Sequence, residues 1–191
     1  MDVYKAILNR RSIRRYQQKP IDDEILEKLI NAARLAPSAA NLQPCEYIVV
    51  NDKSVVELIF PCLKWAGYIA PAGNPPEGEQ PVAYIIVLLN RTWRKEAGEV
   101  DAAAAIENIL LTALEEGISS CWIVSVDKPK VREILSIPDY CELDSVITLG
   151  YPNEKSVVED LTDSVKYWKD DTGLFHVPKR KLESILHKNK Y

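Results

Sequence analysis

Residues 100–117 read VDAAAAIENILLTALEEG, and the reading of that run decides the fold. Asp101 stands near its start and Gly117 just past its end, residue types that open and close a helix, and alanine, isoleucine and leucine fill most of the circumference between them. A helix that is apolar on nearly every side must be covered on nearly every side. The chain has 191 residues, 47% of them hydrophobic, which suits one domain with a substantial core. Within a domain of that size, covering the whole helix is easier if a second subunit lies against one flank.

On the C-terminal side of this helix, ISSCWIVSV (118–126) reads as a strand, DKPKVREIL (127–135) as a helix capped by Asp127, and LDSVITLGYP (143–152) as a strand ending at Gly150. On the N-terminal side, VAYIIVLLN (82–90) is almost wholly apolar and rich in β-branched residues, as suits a central strand covered on both faces. EYIVVN (46–51) reads as another buried strand, followed by a helix over 53–60. Residues 61–81 hold five prolines and three glycines and predict a long irregular loop, the segment expected to be most mobile and to cover a pocket. Further upstream, Ile25, Leu26, Leu29, Ile30, Ala33 and Ala36 recur at helical spacing behind Asp22 or Asp23 as cap, and Pro37 ends that helix and opens a loop of small residues. A short helix with Val3, Ile7 and Leu8 begins the chain, and a basic run, Lys179, Arg180 and Lys181, precedes a last short helix. No internal repeat is present.

Composition and motif spacing narrow the chemistry. The 28 acidic residues outnumber the 24 basic ones, which argues against a nucleic-acid partner. Cys45, Cys62, Cys121 and Cys141 are widely spaced, form no CxxC and stand away from His176 and His187, so neither a zinc cage nor a thioredoxin motif is indicated. Reduced, mostly buried thiols of a cytoplasmic protein are the expectation. No run approaches the roughly 18 apolar residues of a membrane span, so no membrane partner is expected. There is no GxGxxG and no P-loop. Both histidines fall in the last sixteen residues, which leaves no Ser-His-Asp or Cys-His triad in prospect. With side-chain catalysts this scarce, a bound cofactor is expected to carry any reaction.

The clearest binding signal is NRRSIRRY (9–16), which gathers Arg10, Arg11, Arg14 and Arg15 around Ser12. If the segment is extended, Arg10, Ser12 and Arg14 share one face and Arg11, Ile13 and Arg15 the other. Two guanidinium forks flanking a hydroxyl suit the oxygens of a phosphate. A solvated basic turn is the plainer account of such a hexamer taken by itself.

Four segments together resemble the nitroreductase superfamily of FMN-dependent oxidoreductases: NRRSIRRY, APSAANLQPCEYIVV (36–50), DAAAAIENILLTALEEGISSCWIVS (101–125) and HVPKRKLESI (176–185). RRSIR alone is weak, whereas RRSIR followed by PSxxNxQP and GxxxCWI is specific. The resemblance implies an α+β fold, an α-β-α sandwich around a central, mostly antiparallel sheet, with residues 1–191 forming one FMN-binding domain of an intertwined homodimer. Its two FMN sites lie at the subunit interface. The implied activity passes reducing equivalents from NADH or NADPH through FMN to a nitroaromatic, quinone or similar electrophile by a ping-pong cycle.

Residue by residue, Arg10, Ser12 and Arg14 resemble the set that grips the flavin phosphate, ribityl chain and pyrimidine edge, with Arg11 in the same motif. Pro37, Ser38, Ala39 and Asn41 resemble the loop that reaches the flavin of the other subunit, and Gln43 supports that loop. Trp122, Ile123, Val124 and Ser125 match the strand end along the isoalloxazine, and Lys179 and Arg180 the tail residues that return to the phosphate. A cation beside the pyrimidine edge stabilises the anionic reduced flavin. Arg10 or Arg14 is the candidate, with Lys64 a third. Val124 and Ser125 stand where many members have glycines, which alters the pocket. In the Pro-rich loop, Trp65 and Tyr68 are either ring-stacking residues or plain packing. A specialised enzyme of the same fold, such as a dehalogenase or a flavin-consuming protein, is the alternative activity. A non-catalytic phosphate- or nucleotide-binding module is the alternative class.

Overall fold

The computed structural model describes residues 2–191. Its centre is β3 (Ala83–Asn90), an apolar run in which all eight residues are buried. β3 lies between β2 (Cys45–Val50) and β5 (Cys141–Pro152) and is antiparallel to both, Ile86 standing opposite Ile48 on one side and Val146 on the other. The far edge of β5 takes β4 (Ser119–Ile123), with Trp122 opposite Ile147. Its end takes β1 (Tyr16–Gln17), with Tyr16 opposite Pro152.

Alternation along β3 divides the core into two layers. Ile85, Val87 and Leu89 pack against α2 (Asp23–Arg34) and α4 (Glu99–Glu115), while Tyr84, Ile86 and Leu88 pack against α3 (Lys53–Ile59) and α5 (Lys128–Leu135). Helices on both faces of one antiparallel sheet give three layers, α-β-α, and the α+β class. In α4, Ala102, Ala105, Ile106, Ile109 and Ala113 are buried against the sheet. The opposite flank, with Ala103, Ala104, Leu111 and Leu114, is only half covered within the chain, and Val100 is exposed.

The pairing of β3 with β5 shifts register between Val87 and Leu88, so that Asp144 is an extra residue on β5. The bulge reverses the parity of the strand: Leu143 before it and Val146 after it face the same core layer.

The start of the chain is α1 (Val3–Asn9), where Asp2 caps by accepting from the Lys5 amide at 2.9 Å. The Pro-rich segment is irregular as expected and is tied to the body of the protein at its two ends. The Lys64 amide donates to the Ser125 carbonyl at 3.0 Å, the Asp127 amide to the Cys62 carbonyl at 2.8 Å, and the Tyr16 amide to the Glu79 carbonyl at 2.9 Å. A second sheet was not legible in the sequence. It joins β6 (Ser156–Asp160), β7 (Trp168–Lys169) and β8 (Phe175–Lys179) in the order β6-β8-β7, with β6 parallel to β8. Lys179 therefore ends a strand, and the expected last helix is a single 3-10 turn over Leu182–Ser184. No helix among the described residues is long and apolar enough to cross a membrane.

Candidate functional site

The arginine segment runs extended along the edge of β4. Ser12 bridges to Ser120 in parallel sense and the Ile13 amide donates to the Ser120 carbonyl at 3.0 Å. Ile13 is buried and Ser12 half-buried, so the four arginines leave the segment in different directions and meet different partners. Arg11 turns back on α1, donating from Nη2 to the Leu8 carbonyl at 2.7 Å and from Nη1 to the Arg10 carbonyl. It caps the open carbonyl end of the helix. Burial and then the neighbouring Arg10 charge lower its pKa, and its Nε is buried without a partner. Arg10 lies 3.6 Å from Glu107 on α4, and Arg15 lies 3.3 Å from Glu79 in the Pro-rich segment.

Arg14 has a different environment. Its guanidinium lies over the rings of Tyr167 and Phe175, at 5.3 and 5.2 Å, and is joined to no carboxylate among the described residues. Arg14 lines a cleft of about 210 Å³ whose wall also carries Lys64, Trp65, Trp122, Ser125 and Tyr167. Ala66 and Gly67 border it too, as do Ile123 and Val124. The Trp65 indole N–H is buried without a partner in this lining. Trp122 is held by its Nε1 donating to Ser145 Oγ at 2.8 Å, and Ser145 donates in turn to Asp144 at 2.7 Å. The bulge at Asp144 thus fixes an exposed indole at the strand end. Of the two aromatic residues offered by the Pro-rich segment, Trp65 is buried against Phe60, and Tyr68 packs on Tyr167 at 5.0 Å.

The other candidates lie apart from this cleft within one chain. Arg10 and Arg11 line a second one, of about 340 Å³, with Ser120, Glu154 and Ser156. Pro37 and Ser38 line a third, of about 150 Å³, beside Asp101. Ala39 and Asn41 project from the same loop and are exposed. That loop is built from left-handed residues without glycine, Ala40, Asn41 and Gln43, at φ of 51°, 55° and 48°. Such backbone persists only where its surroundings hold it. Here the Ala39 amide donates to buried Asp101 at 3.0 Å, Asp101 pairs with Arg94 at 2.6 Å, and the Gln43 amide donates to Ser38 Oγ at 3.0 Å. Lys179 and Arg180 line none of the three clefts; Arg180 donates to the Ser184 carbonyl beyond β8 at 2.5 Å.

None of the thiols is set up as a nucleophile. Burial pushes Cys45 and Cys141 up to about 11 and raises Cys121 despite the Arg14 charge nearby. No group of histidine, cysteine and carboxylate side chains suited to a metal ion occurs among the described residues. The first cleft offers two cations, an aromatic wall and two small residues at its border. That donor set fits a planar cofactor with an anionic or hydrogen-bonding edge. Its volume is smaller than the about 300–1,000 Å³ usual for such a ligand.

Fold and cleft together define an α+β protein with a cation-lined cleft at the end of an antiparallel sheet. The profile of the nitroreductase family matches residues 7–83 and 83–151, and the chain belongs to that family. It is 36% identical over 158 residues, 79% of this chain and 86% of the relative, to an Archaeoglobus fulgidus protein provisionally named as an NADH dehydrogenase/NAD(P)H nitroreductase. Among solved structures, an FMN-dependent nitroreductase from Clostridium difficile is 26% identical with a TM-score of 0.70, covering 97% of this chain and 98% of its own. A nitroreductase from Bacteroides fragilis, solved with bound FMN, is 26% identical with a TM-score of 0.66, covering 86% of this chain and 95% of its own.

Tyr167, Phe175, Glu154 and Lys169 around Arg14 were missed in the sequence. The only signal was the aromatic pair Tyr167–Trp168 inside an otherwise charged run.

Proposed function

We propose that this chain is an FMN-dependent oxidoreductase that passes reducing equivalents from NADH or NADPH to a nitroaromatic, quinone or similar small electrophile. Residues 1–191 act as one FMN-binding domain, and two copies form a homodimer. The observation that carries the reading is the Arg14 guanidinium, unpaired by any acid and lining the same cleft as the Trp122–Ser125 strand end. Family membership and the FMN-bound relatives support it.

FMN held here would supply two-electron chemistry between the reduced nicotinamide and the oxidant. The protein's part is to bind, orient and bias that group. Arg14, with Lys64 on the same wall, offers positive charge to the ring edge. Arg10 and Ser12 hold the phosphate and ribityl end, with Lys179 and Arg180 adding charge there. Arg11 serves that end indirectly by fixing the C-terminus of α1. Trp122, Val124 and Ser125 lie along the ring, and Val124 and Ser125, both exposed, narrow the substrate space above it. Pro37, Ser38, Ala39 and Asn41 close the site of the partner subunit, which accounts for their distance from the Arg14 cleft in their own chain. Donor and oxidant use the same opening in turn, which gives ping-pong kinetics. The protein works in the cytoplasm.

Replacing Ser12 by Ala and Arg10 by Gln tests the phosphate assignment, with FMN retention measured after gel filtration. The expected result is loss of flavin from both variants while the fold is kept. Full occupancy in both would contradict the assignment and favour a different anion at this segment.

A further inference from the structure

A buried acid takes the main-chain amide of Arg14 but is not paired with its guanidinium. The Glu154 side chain is 4% exposed; its Oε1 accepts from the main-chain amide of Arg14 at 2.6 Å, and its buried Oε2 forms an ion pair with Lys169 Nζ at 3.0 Å without hydrogen-bond geometry. A carboxylate left without another cation is the natural partner of a nearby guanidinium, since charge-assisted pairs between the two are strong. Here β7 brings Lys169 to the acid instead. The Phe175 ring, 1% exposed, is shared by the two cations, with Lys169 Nζ at 4.5 Å and Arg14 Cζ at 5.2 Å from its centroid. Tyr167 covers the guanidinium as well and lines the cleft with it.

We propose that Lys169 is a positioning residue: by holding the Glu154 carboxylate it leaves the Arg14 charge unneutralised at the cleft, while Tyr167 and Phe175 fix the guanidinium between them. The inference rests on the FMN reading and adds which residues set the preference for reduced over oxidised cofactor. Aromatic faces hold a cation without cancelling its charge, whereas a carboxylate would cancel most of it. A full positive charge in a half-buried site favours an anionic ligand state over a neutral one. The second sheet thereby serves the cofactor site, since β7 carries Lys169, β8 carries Phe175, and the segment leading into β7 carries Tyr167.

The test is the midpoint potential of bound FMN, measured by spectroelectrochemistry on the holoenzyme and on three variants. In Lys169→Met the acid is released onto Arg14, and the preference for reduced FMN falls about tenfold, which for a two-electron couple is about 30 mV. In the double variant Glu154→Gln/Lys169→Met no acid remains to neutralise Arg14, and the potential returns to the wild-type value. Equal potentials in the wild type and Lys169→Met would overturn the inference. So would a fall that persists in the double variant, since the lysine's own charge would then be acting directly. If Lys169→Met fails to fold, Glu154→Gln alone decides: the potential is expected at or above that of the wild type, and a fall would overturn the inference. A wild-type protein that never takes up FMN would overturn the flavin reading, and this inference with it.

Discussion

Arg14 and Arg15 are neighbours in sequence and opposites in chemistry. Arg15 is matched by Glu79, whereas Arg14 rests on aromatic faces with its charge free. The two positions therefore make a matched experiment. Arg14→Gln should weaken FMN binding about tenfold to a hundredfold, the order expected for losing about 1.5–3 kcal/mol of hydrogen bonding to a charged group. Arg15→Gln should leave it within about twofold, since Arg15 lies outside the cleft lining and its half-buried charge is already matched by Glu79. Flavin fluorescence titration reads both. A second prediction at this scale concerns Gly150, where an added Cβ would meet the Tyr16 ring and Cβ at 2.7 Å. Tyr16 is fully buried and bonded to Thr148 Oγ1 at 2.6 Å, so it cannot yield. Gly150→Ala should cost about 1–3 kcal/mol of stability by overpacking, seen as a lower urea midpoint with an unchanged slope.

At the scale of elements, the loop over residues 37–44 depends on α4 through one buried acid. Asp101 accepts from Ala39 and pairs with Arg94, and removing it strands both partners. Asp101→Ala is expected to cost about 3 kcal/mol, the order found for a broken buried pair, and to speed amide exchange at Ala39. Asp101→Asn, which keeps the acceptor, should lose less. The second sheet depends on His176, which lies 3.0 Å from Glu159 and 3.3 Å from Asp170 and stacks on Trp168. Burial pulls its pKa down, but the hydrogen bonds to the two carboxylates outweigh that and hold it above the ordinary 6.5. Glu159 is lowered by its bonds to Trp168 and His176, and Asp170 to about 2, chiefly by its bond to Thr172. A raised histidine stabilises fully below its unfolded pKa and loses that effect as pH rises through the folded value, while lowered acids stabilise above their unfolded pKa and lose it as pH falls. The sheet should therefore be tightest between about pH 4.5 and 6.5 and loosen as pH rises past the histidine. Amide exchange along β8 across that range should show the trend, and His176→Gln should flatten its alkaline side.

These elements also mark what could be read in advance. β3 and α4 were plain because their apolar pattern is continuous and tells of burial without knowledge of any partner. β6, β7 and β8 were not, because two or five residues of mixed polarity, with no regular alternation, make a strand only when a distant segment pairs with them. The left-handed turn at Ala40, Asn41 and Gln43 lacks the glycines that would announce it, and Asp101 holds it from about sixty residues away. In the site, Arg14 and the Trp122–Ser125 strand end were legible as motif and meet in one cleft. The roles of Glu154 and Lys169 depend on where the second sheet lies, which no local pattern records.

For the whole molecule, the surface points to a second copy. Val3, Tyr4, Ile7 and Leu8 of α1 are exposed, and the flank of α4 is only half covered. Exposed apolar residues on one short helix suit an interaction surface, and the proposed homodimer would use it. The protein should sediment as a dimer of about twice its 21.6 kDa chain mass. Leu8→Glu should shift it toward monomer and release flavin with the same concentration dependence. A monomer that holds FMN fully would contradict the shared site. The decisive measurement is the visible absorbance of freshly purified protein, repeated after anaerobic addition of NADH or NADPH. Flavin bands that bleach on reduction are expected. A colourless protein that remains so when supplied with FMN would contradict the proposal and leave the arginine segment holding some other anion.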